Sequence, residues 1–471
     1  MAYYTINHRQ SKQIPMLRVK QLTLLIGDLI VLYVGLYFAL YFRYLKTPGQ
    51  NLEDLLSPMT QLFFLAAVIL FIAGLYDISK TKNSWVFYQK IIISALAWTV
   101  FGIIYFYANP KTAIAPKTIL LLTTIIGFGL ISLWRFFYNK FISTTLKYNI
   151  IFAGVTDEVR ELINNIQKEP RLGYLVIGVI DENEAAKAQF PNIAFGKTIA
   201  DINNQNKNQA NIIVLSPHMT ANTGLLKELY GSLFQQVSIV SLSDFYESVM
   251  HRIPPFTFSE GWFVANLHEQ HKKIYDRFRI LTDYVLAVFI GIFFIVTFPL
   301  VALAIKLNSR GRIFFVQNRI GRQGLVFKVY KYRTMMSLSA DGSAETGGPQ
   351  FAADKDARIT SVGKILRLTR LYEIPQFINI LKGQMSVIGP RPERPEFVRQ
   401  LTEKMPYYPL RHLIKPGLTG WAQINNAYYG TIEENLRKLE YDLFYIKNRS
   451  FTLDVAIILR TINTVLRLAG R

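Results

Sequence analysis

Cations spaced closely around one carboxylate are the part of this chain best suited to chemistry. In the run VYKYRTM an extended strand puts Lys331 and Arg333 on one face and Tyr330 and Tyr332 on the other. Two cations on one rigid face suit a phosphate or a diphosphate. Further on, GKILRLTRLYEIPQFINILKG carries Lys364, Arg367 and Arg370 at three-residue intervals, which predicts one side of a helix. Pro375 fits the first turn of a second helix and Gly383 its end. Glu373 stands just ahead of that second helix. A carboxylate there either caps the helix or, held among cations, carries Mg²⁺, which takes one or two protein carboxylates and fills its shell with water and phosphate oxygens. In SVIGPRPERPEF, Gly389, Pro390 and Pro392 stiffen the backbone around Arg391 and aim its guanidinium as a phosphate clamp. A solvated arginine in a proline-rich turn is the plainer alternative. IKPGLTGWAQI adds a turn at Pro416–Gly417 and a Trp421 expected to be buried or interfacial.

Composition bounds the elements that must position these residues. The chain has 471 residues, 51% of them hydrophobic and 18% charged, which excludes a disordered protein and argues against a purely soluble one. A net charge of +21 asks for an anionic partner: lipid headgroups, nucleic acid or phosphorylated substrates. There is no Cys, so disulfides, thiolate nucleophiles and cysteine-built metal centres are excluded. The six His residues show no metal-binding spacing. Between Lys306 and Met335 the basic residues are interleaved with apolar and aromatic ones, with no acid among them. Because these cations flank apolar runs instead of forming a soluble basic face, membrane lipid is an expected partner and nucleic acid is not.

Four apolar runs, at about residues 22–42, 59–76, 91–108 and 118–134, are each near the length of a membrane-spanning helix. The first is too long for a signal-peptide core and lacks a cleavage site behind it. Basic residues set the expected orientation: Arg9, Lys12, Arg18 and Lys20 before the first run, Lys80, Lys82 and Lys90 after the second, Arg135, Lys140 and Lys147 after the fourth. Four spans place all three groups in the cytoplasm. Asp28, inside the first run near its cytoplasmic end, reads as a packing or interfacial carboxylate in preference to a functional one. A fifth run, Tyr284 to Ile305, has basic flanks on both sides (Lys272, Lys273, Arg277 and Arg279 before it; Lys306, Arg310 and Arg312 after it) and contains Pro299. The positive-inside rule then asks for both ends on one side, so a re-entrant helix–break–helix with the break at Pro299 is expected; an ordinary kinked span is the alternative.

The stretch 148–260 alternates strand and helix patterns and predicts a parallel sheet. YNIIFAG, LVIGVI, NIIVLS and VSIVSL are its strands, and TDEVRELINNIQKE is a helix capped by Thr156. One glycine, Gly154, stands where a dinucleotide fingerprint needs three, and Asp157 and Glu158 occupy the pyrophosphate end. A Rossmann-like regulatory or assembly domain without a tight cofactor is expected. The resulting plan is a membrane protein of mixed α and α/β class: a four-helix transmembrane region (1–147), a Rossmann-like α/β domain (148–265) and a domain with a re-entrant membrane helix (266–471).

The blocks FFVQNRIGRQGLVFKVYKYRTM, DARITSVGKILRLTRLYEIPQFINILKGQMSVIGPRPERPEF and KPGLTGWAQIN, in this order, resemble the polyprenyl-phosphate sugar-phosphate transferases, the large monotopic phosphoglycosyl transferases that initiate bacterial exopolysaccharide, capsule and O-antigen synthesis. The resemblance covers about residues 275–471 and implies transfer of a sugar-1-phosphate from a UDP-sugar to undecaprenyl (polyprenyl) phosphate with release of UMP. It also implies Mg²⁺ as cofactor, a re-entrant helix, and an active site facing the cytoplasm from the bacterial inner membrane. By resemblance, Glu373 is the metal carboxylate, Lys331, Arg333, Arg367 and Arg391 cradle phosphates, and Tyr372 occupies the place of the nucleophile. Asp356 and Arg358 match a family block and suit an ion pair. A homo-oligomer is compatible with this plan.

Tyr372 departs from the family, which has an Asp there as nucleophile beside the retained Glu. A phenol with an ordinary pKa near 10 is mostly protonated at pH 7 and attacks poorly unless activated. Four readings follow: disabled turnover, an activated Tyr372, Glu373 as nucleophile, or direct attack by the lipid phosphate. Two other functions compete with the transferase. One is a non-catalytic member that binds lipid phosphate or organises an assembly complex. The other is a membrane-bound nucleotide-sugar dehydratase or epimerase, against which the missing glycine fingerprint counts.

Overall fold

The computed structural model describes residues 16–44, 48–77, 83–109, 117–142, 147–182, 184–206, 209–232, 237–267, 272–336, 358–425 and 431–466. Arg9, Lys12, Lys80, Lys82 and Asp356 lie outside the described residues. The chain divides into two compact units, Met1–Val249 and Met250–Arg471.

In the first unit, helices α1 (Met16–Tyr44), α2 (Pro48–Ile72), α3 (Trp85–Ala108) and α4 (Lys117–Phe137) carry the four apolar runs. Each holds a segment long and apolar enough to cross a membrane. Small residues let α1 and α4 approach closely: a Cβ on Gly35 would fall 2.7 Å from the Gly127 Cα. Asp28 is buried and accepts from Arg135 Nε (3.1 Å), Arg135 Nη2 (2.6 Å) and Tyr76 Oη (2.7 Å). It is therefore a packing residue, an ion pair that ties α1 to α4. The pairing also removes Arg135 from the loop cations: it sits inside the helix bundle, its charge offset by Asp28. Lys20 is buried too, and its ammonium donates to the Arg171 carbonyl at 3.2 Å.

The same unit carries the α/β layer. Its strands are β1 (Tyr148–Ala153), β2 (Tyr174–Ile180), β3 (Ala194–Gly196), β4 (Ile212–Leu215) and β5 (Ser238–Ser241). All pair in parallel, in the order β3-β2-β1-β4-β5. Helix α5 (Asp157–Lys168) follows β1, and its amphipathic pattern buries Val159, Leu162, Ile163 and Ile166. Strand β3 escapes the sequence because it is three half-buried residues long, too short for a periodic signal. At the turn after β1, Gly154 has φ +87°, and a Cβ there would sit 2.5 Å from His218 Nε2. Val155 N–H donates to Asp181 Oδ2 at 2.6 Å, and Val159 N–H donates to Thr156 Oγ1 at 3.3 Å. These two bonds close the turn and cap α5.

The second unit is built on α6 (Lys273–Asn308), a single helix of 36 residues. The expected break at Pro299 is absent: the proline lies inside the helix. A proline removes one hydrogen bond and bends a helix without having to end it. The hydroxyl of Thr297 donates to the Phe293 carbonyl at 2.8 Å on the turn before it. Strands β6 (Phe314–Ile320) and β7 (Val326–Tyr332) form an antiparallel hairpin. Stacked rings attach the hairpin to α6, with centroids 5.8 Å apart for Phe298–Phe314 and 5.9 Å for Phe294–Tyr332. Then come α7 (Ser361–Leu368), a 3₁₀ turn over Leu371–Gln376, α8 (Phe377–Leu381), β8 (Ser386–Ile388) and α9 (Pro395–Lys404). Strand β9 (Gly417–Thr419) pairs in parallel with β8, and α10 (Ile432–Asn448) and α11 (Phe451–Leu466) close the unit. Met385, Tyr408, Trp421, Leu439 and Leu443 lie in its core. Gly417 opens β9 and is needed for close approach: a Cβ on it would fall 2.0 Å from the Gly389 amide nitrogen.

The candidate active site

Glu373 lies in the 3₁₀ turn and is only 5% exposed. It does not cap the following helix. Its Oε1 is 3.1 Å from Arg391 Nη1, and its Oε2 is 3.8 Å from Arg370 Nη1. Tyr372 is its neighbour in the turn, and the Lys331 ammonium lies 5.7 Å from the Tyr372 ring centroid. Burial works to raise the Glu373 pKa, but Arg391, Lys331 and Arg370 outweigh it and hold the carboxyl at about 2. Lys331 moves the other way: burial, reinforced by Arg391 and Arg319, pulls its ammonium down to about 7. Burial first, then the Glu373 charge, pushes the Tyr372 phenol up. At neutral pH the centre is therefore an ionised carboxylate, a protonated phenol, two fixed guanidiniums and a lysine near its titration point.

A second layer holds Arg391 in place. Arg411 Nη2 donates to the Arg391 carbonyl at 2.9 Å, while Arg411 Nε and Nη2 reach Asp442 Oδ2 at 3.0 and 2.7 Å. Arg319 Nη1 donates to the Pro392 carbonyl at 3.2 Å and lies 3.6 Å from Glu393 Oε2. Glu393 also pairs with Lys438. Burial opposes ionisation of Glu393, but Lys438, Arg411 and Arg319 bring its carboxyl to about 2. Burial lowers Lys438 to about 8. The sequence pattern had not singled out Arg319, Glu393, Arg411, Lys438 and Asp442 for this site. Only Glu393, two residues from Arg391 in PRPER, carried a local signal; the others come from distant elements.

Lys331, Arg391, Tyr372 and Glu373 are brought together; Arg333 binds the end of α6, and Arg367 binds Thr334. Strand β7 ends at Tyr332, so its alternation does not carry Arg333 to the site. Arg333 Nη2 donates to the Ser309 carbonyl at 2.8 Å, Nη1 donates to the Arg310 carbonyl, and the guanidinium closes the C-terminal end of α6. Arg367 Nε donates to Thr334 Oγ1 at 3.0 Å. The three-cation helical stripe also stops short. Helix α7 ends at Leu368 and Arg370 turns to φ +56°, which directs it to Glu373 instead of along the stripe.

Beside the cluster lies a cavity of about 490 Å³. Its walls are mostly apolar side chains of α6, β9 and α11, among them Leu286, Ile290, Ile458 and Ile462, and it includes Arg370 and Glu373. Among the described residues no group of three or more His or acidic side chains could hold a metal ion. The donors present fit only a metal that takes one carboxylate, Glu373, and draws its other oxygens from phosphate and water.

The sequence signature of bacterial sugar transferases matches residues 274–468, the stretch that builds this cluster. A relative in Caulobacter vibrioides, named UDP-glucose:undecaprenyl-phosphate glucose-1-phosphate transferase, is 37% identical over 194 residues, 40% of this chain and 70% of that one. The chain belongs to the bacterial sugar transferase family. A Klebsiella pneumoniae protein of the same name is 28% identical over 460 residues, 93% of each chain. A UDP-N-acetylgalactosamine-undecaprenyl-phosphate N-acetylgalactosaminephosphotransferase of Aeromonas hydrophila is 47% identical over 165 residues, but these span only 38% of its length. A CoA-binding-domain signature matches residues 71–212. With five helices long and apolar enough to cross a membrane among the described residues, this family member is a membrane protein.

Proposed function

We propose that this protein transfers a sugar-1-phosphate from a UDP-sugar to undecaprenyl phosphate, an initiating step of surface-polysaccharide synthesis. The observation that carries the reading is the ionised, buried Glu373 among Lys331, Arg370 and Arg391, next to an apolar cavity, within the family-matched region. An oxygen of the lipid phosphate attacks the phosphorus attached to the sugar; the bond to the bridging oxygen breaks, and UMP leaves. Arg391 and Lys331 neutralise the charge of the transferring phosphate. Glu373 would hold Mg²⁺, which would supply further charge neutralisation to the phosphates. Tyr372, kept protonated by burial and by the Glu373 charge, acts as a hydrogen-bond donor and not as the nucleophile. The donor is placed at the level of a UDP-hexose, because the relatives' names include both glucose and N-acetylgalactosamine.

In this reading α1 to α4 are four spans of the bacterial inner membrane and both ends of α6 stay on the cytoplasmic side, so that the site faces the cytoplasm. Basic residues on both flanks of α6 support that placement. The raised phenol supports a second reading, a binder of lipid phosphate without turnover. One assay separates them: purified protein and Tyr372→Asp with UDP-[¹⁴C]glucose or UDP-[¹⁴C]N-acetylgalactosamine and Mg²⁺, with and without undecaprenyl phosphate. Transfer predicts lipid-linked label and UMP from the unaltered chain, only when lipid is present. Product from Tyr372→Asp alone would favour the binder, and no product from either protein would remove the transfer reading.

A further inference from the structure

Arg370 is only loosely engaged by the ion-pair cluster. It is a non-glycine residue at φ +56°, just past the end of α7, where glycine or asparagine usually stands. Its Nε is buried and, among the described residues, has no hydrogen-bond partner. Its ion pair with Glu373 is long, 3.8 Å, and the other oxygen of that carboxylate is held at 3.1 Å by Arg391. The side chain is 30% exposed and lines the 490 Å³ cavity. A guanidinium with a spare buried donor, kept in an unfavourable backbone conformation, suits a ligand that supplies the missing acceptor.

The cavity tells what that ligand carries. Leu286, Ile290, Ile374, Leu418, Ile458 and Ile462 line it, and its volume lies within the roughly 300–1,000 Å³ range of ligand pockets. Its walls belong to α6, the most apolar membrane-crossing candidate, and to α11, which exposes Ile462 and Leu466. Three cations, Lys331, Arg370 and Arg391, surround the single carboxylate of Glu373, so the polar end keeps a surplus positive charge. We infer that the cavity holds the first isoprene units of a polyprenyl monophosphate and that Arg370 binds its phosphate. The assignment rests on the transfer reading above and gives its lipid substrate a place: tail between α6 and α11, head at Arg370. The rest of the tail stays in the bilayer.

The test is binding, so it does not depend on turnover. The full chain in nanodiscs is titrated with undecaprenyl phosphate, undecaprenol, dioleoyl phosphatidic acid, inorganic phosphate and UDP, and complexes are counted by native mass spectrometry. Arg370→Gly removes the guanidinium and relieves the strained φ, so its thermal midpoint should not fall. Its undecaprenyl phosphate affinity should drop tenfold or more, with undecaprenol and UDP moving less than threefold. Ile458→Trp fills the cavity and should weaken undecaprenyl phosphate and undecaprenol alike; Ile290→Trp does the same from the α6 wall, in case either variant folds poorly. The inference is overturned if Arg370→Gly keeps its lipid affinity within threefold, or loses UDP binding instead. It is equally overturned if phosphatidic acid or inorganic phosphate binds as tightly as undecaprenyl phosphate, or if both tryptophan variants bind normally. Absence of sugar transfer alongside the expected binding would sink the transfer reading and leave this site standing.

Discussion

At the scale of single residues, the site is a balance of burial against fixed charge. Glu373 and Glu393 are buried, which by itself favours the neutral acid, yet neighbouring cations hold both at about 2. Their contribution to stability is full above the ordinary 4.5 and is lost as pH falls toward 2. Lys331, lowered to about 7, has the opposite sense: burying its charge costs stability at low pH, a cost relieved as pH rises through 7 toward 10.5. Its deprotonation also removes a cation from the phosphate site. Hydrogen bonds to charged groups are worth about 1.5–3 kcal/mol. UDP binding should therefore weaken about tenfold as pH rises from 6 to 8, and Lys331→Met should bind weakly at both ends without that step. Isothermal titration across this range checks it; an unchanged slope in Lys331→Met would assign the step to another group.

At the scale of elements, buried polar contacts help to fix the membrane helices against one another. The Asp28–Arg135 pair, with Tyr76, joins α1 to α4 in a buried setting. Removing one partner of such a pair leaves an uncompensated charge and costs about 3–5 kcal/mol. Asp28→Asn should lower unfolding stability in detergent by that amount, while the double change Asp28→Leu with Arg135→Met should recover most of it. Chemical unfolding of the three proteins reads the difference, and equal stability of Asp28→Asn and the unaltered chain would show the pair to be dispensable. In the second unit, rings on α6 and on the β6–β7 hairpin hold β7 in place, and β7 in turn presents Lys331.

At the scale of the whole molecule, the side of the membrane on which each unit lies decides whether a cytoplasmic UDP-sugar can reach the site. The chain has no Cys, so single cysteines report cleanly. Lys187→Cys and Lys382→Cys place exposed thiols on the first and second units. With a re-entrant α6, both should react with a membrane-impermeant maleimide only after the inner membrane is opened. A crossing α6 would put them on opposite sides, and labelling of Lys382→Cys alone in intact spheroplasts would end the cytoplasmic placement.

The local patterns were enough for the four apolar helices and the parallel sheet, because hydropathy over about 20 residues and strand alternation are local properties. They also pointed to Glu373, Lys331 and Arg391 as neighbours in chemistry. Three things needed the folded chain. Strand β7 ends one residue before Arg333, so that cation caps α6 and leaves the site. Helix α7 stops at Leu368, and a left-handed Arg370 turns toward Glu373. The residues that hold Arg391, namely Arg411 and Asp442, lie 20 and 51 positions away along the sequence. Charge pairing at that separation leaves no periodic trace; it exists only once packing has removed water and left each buried charge to find its partner.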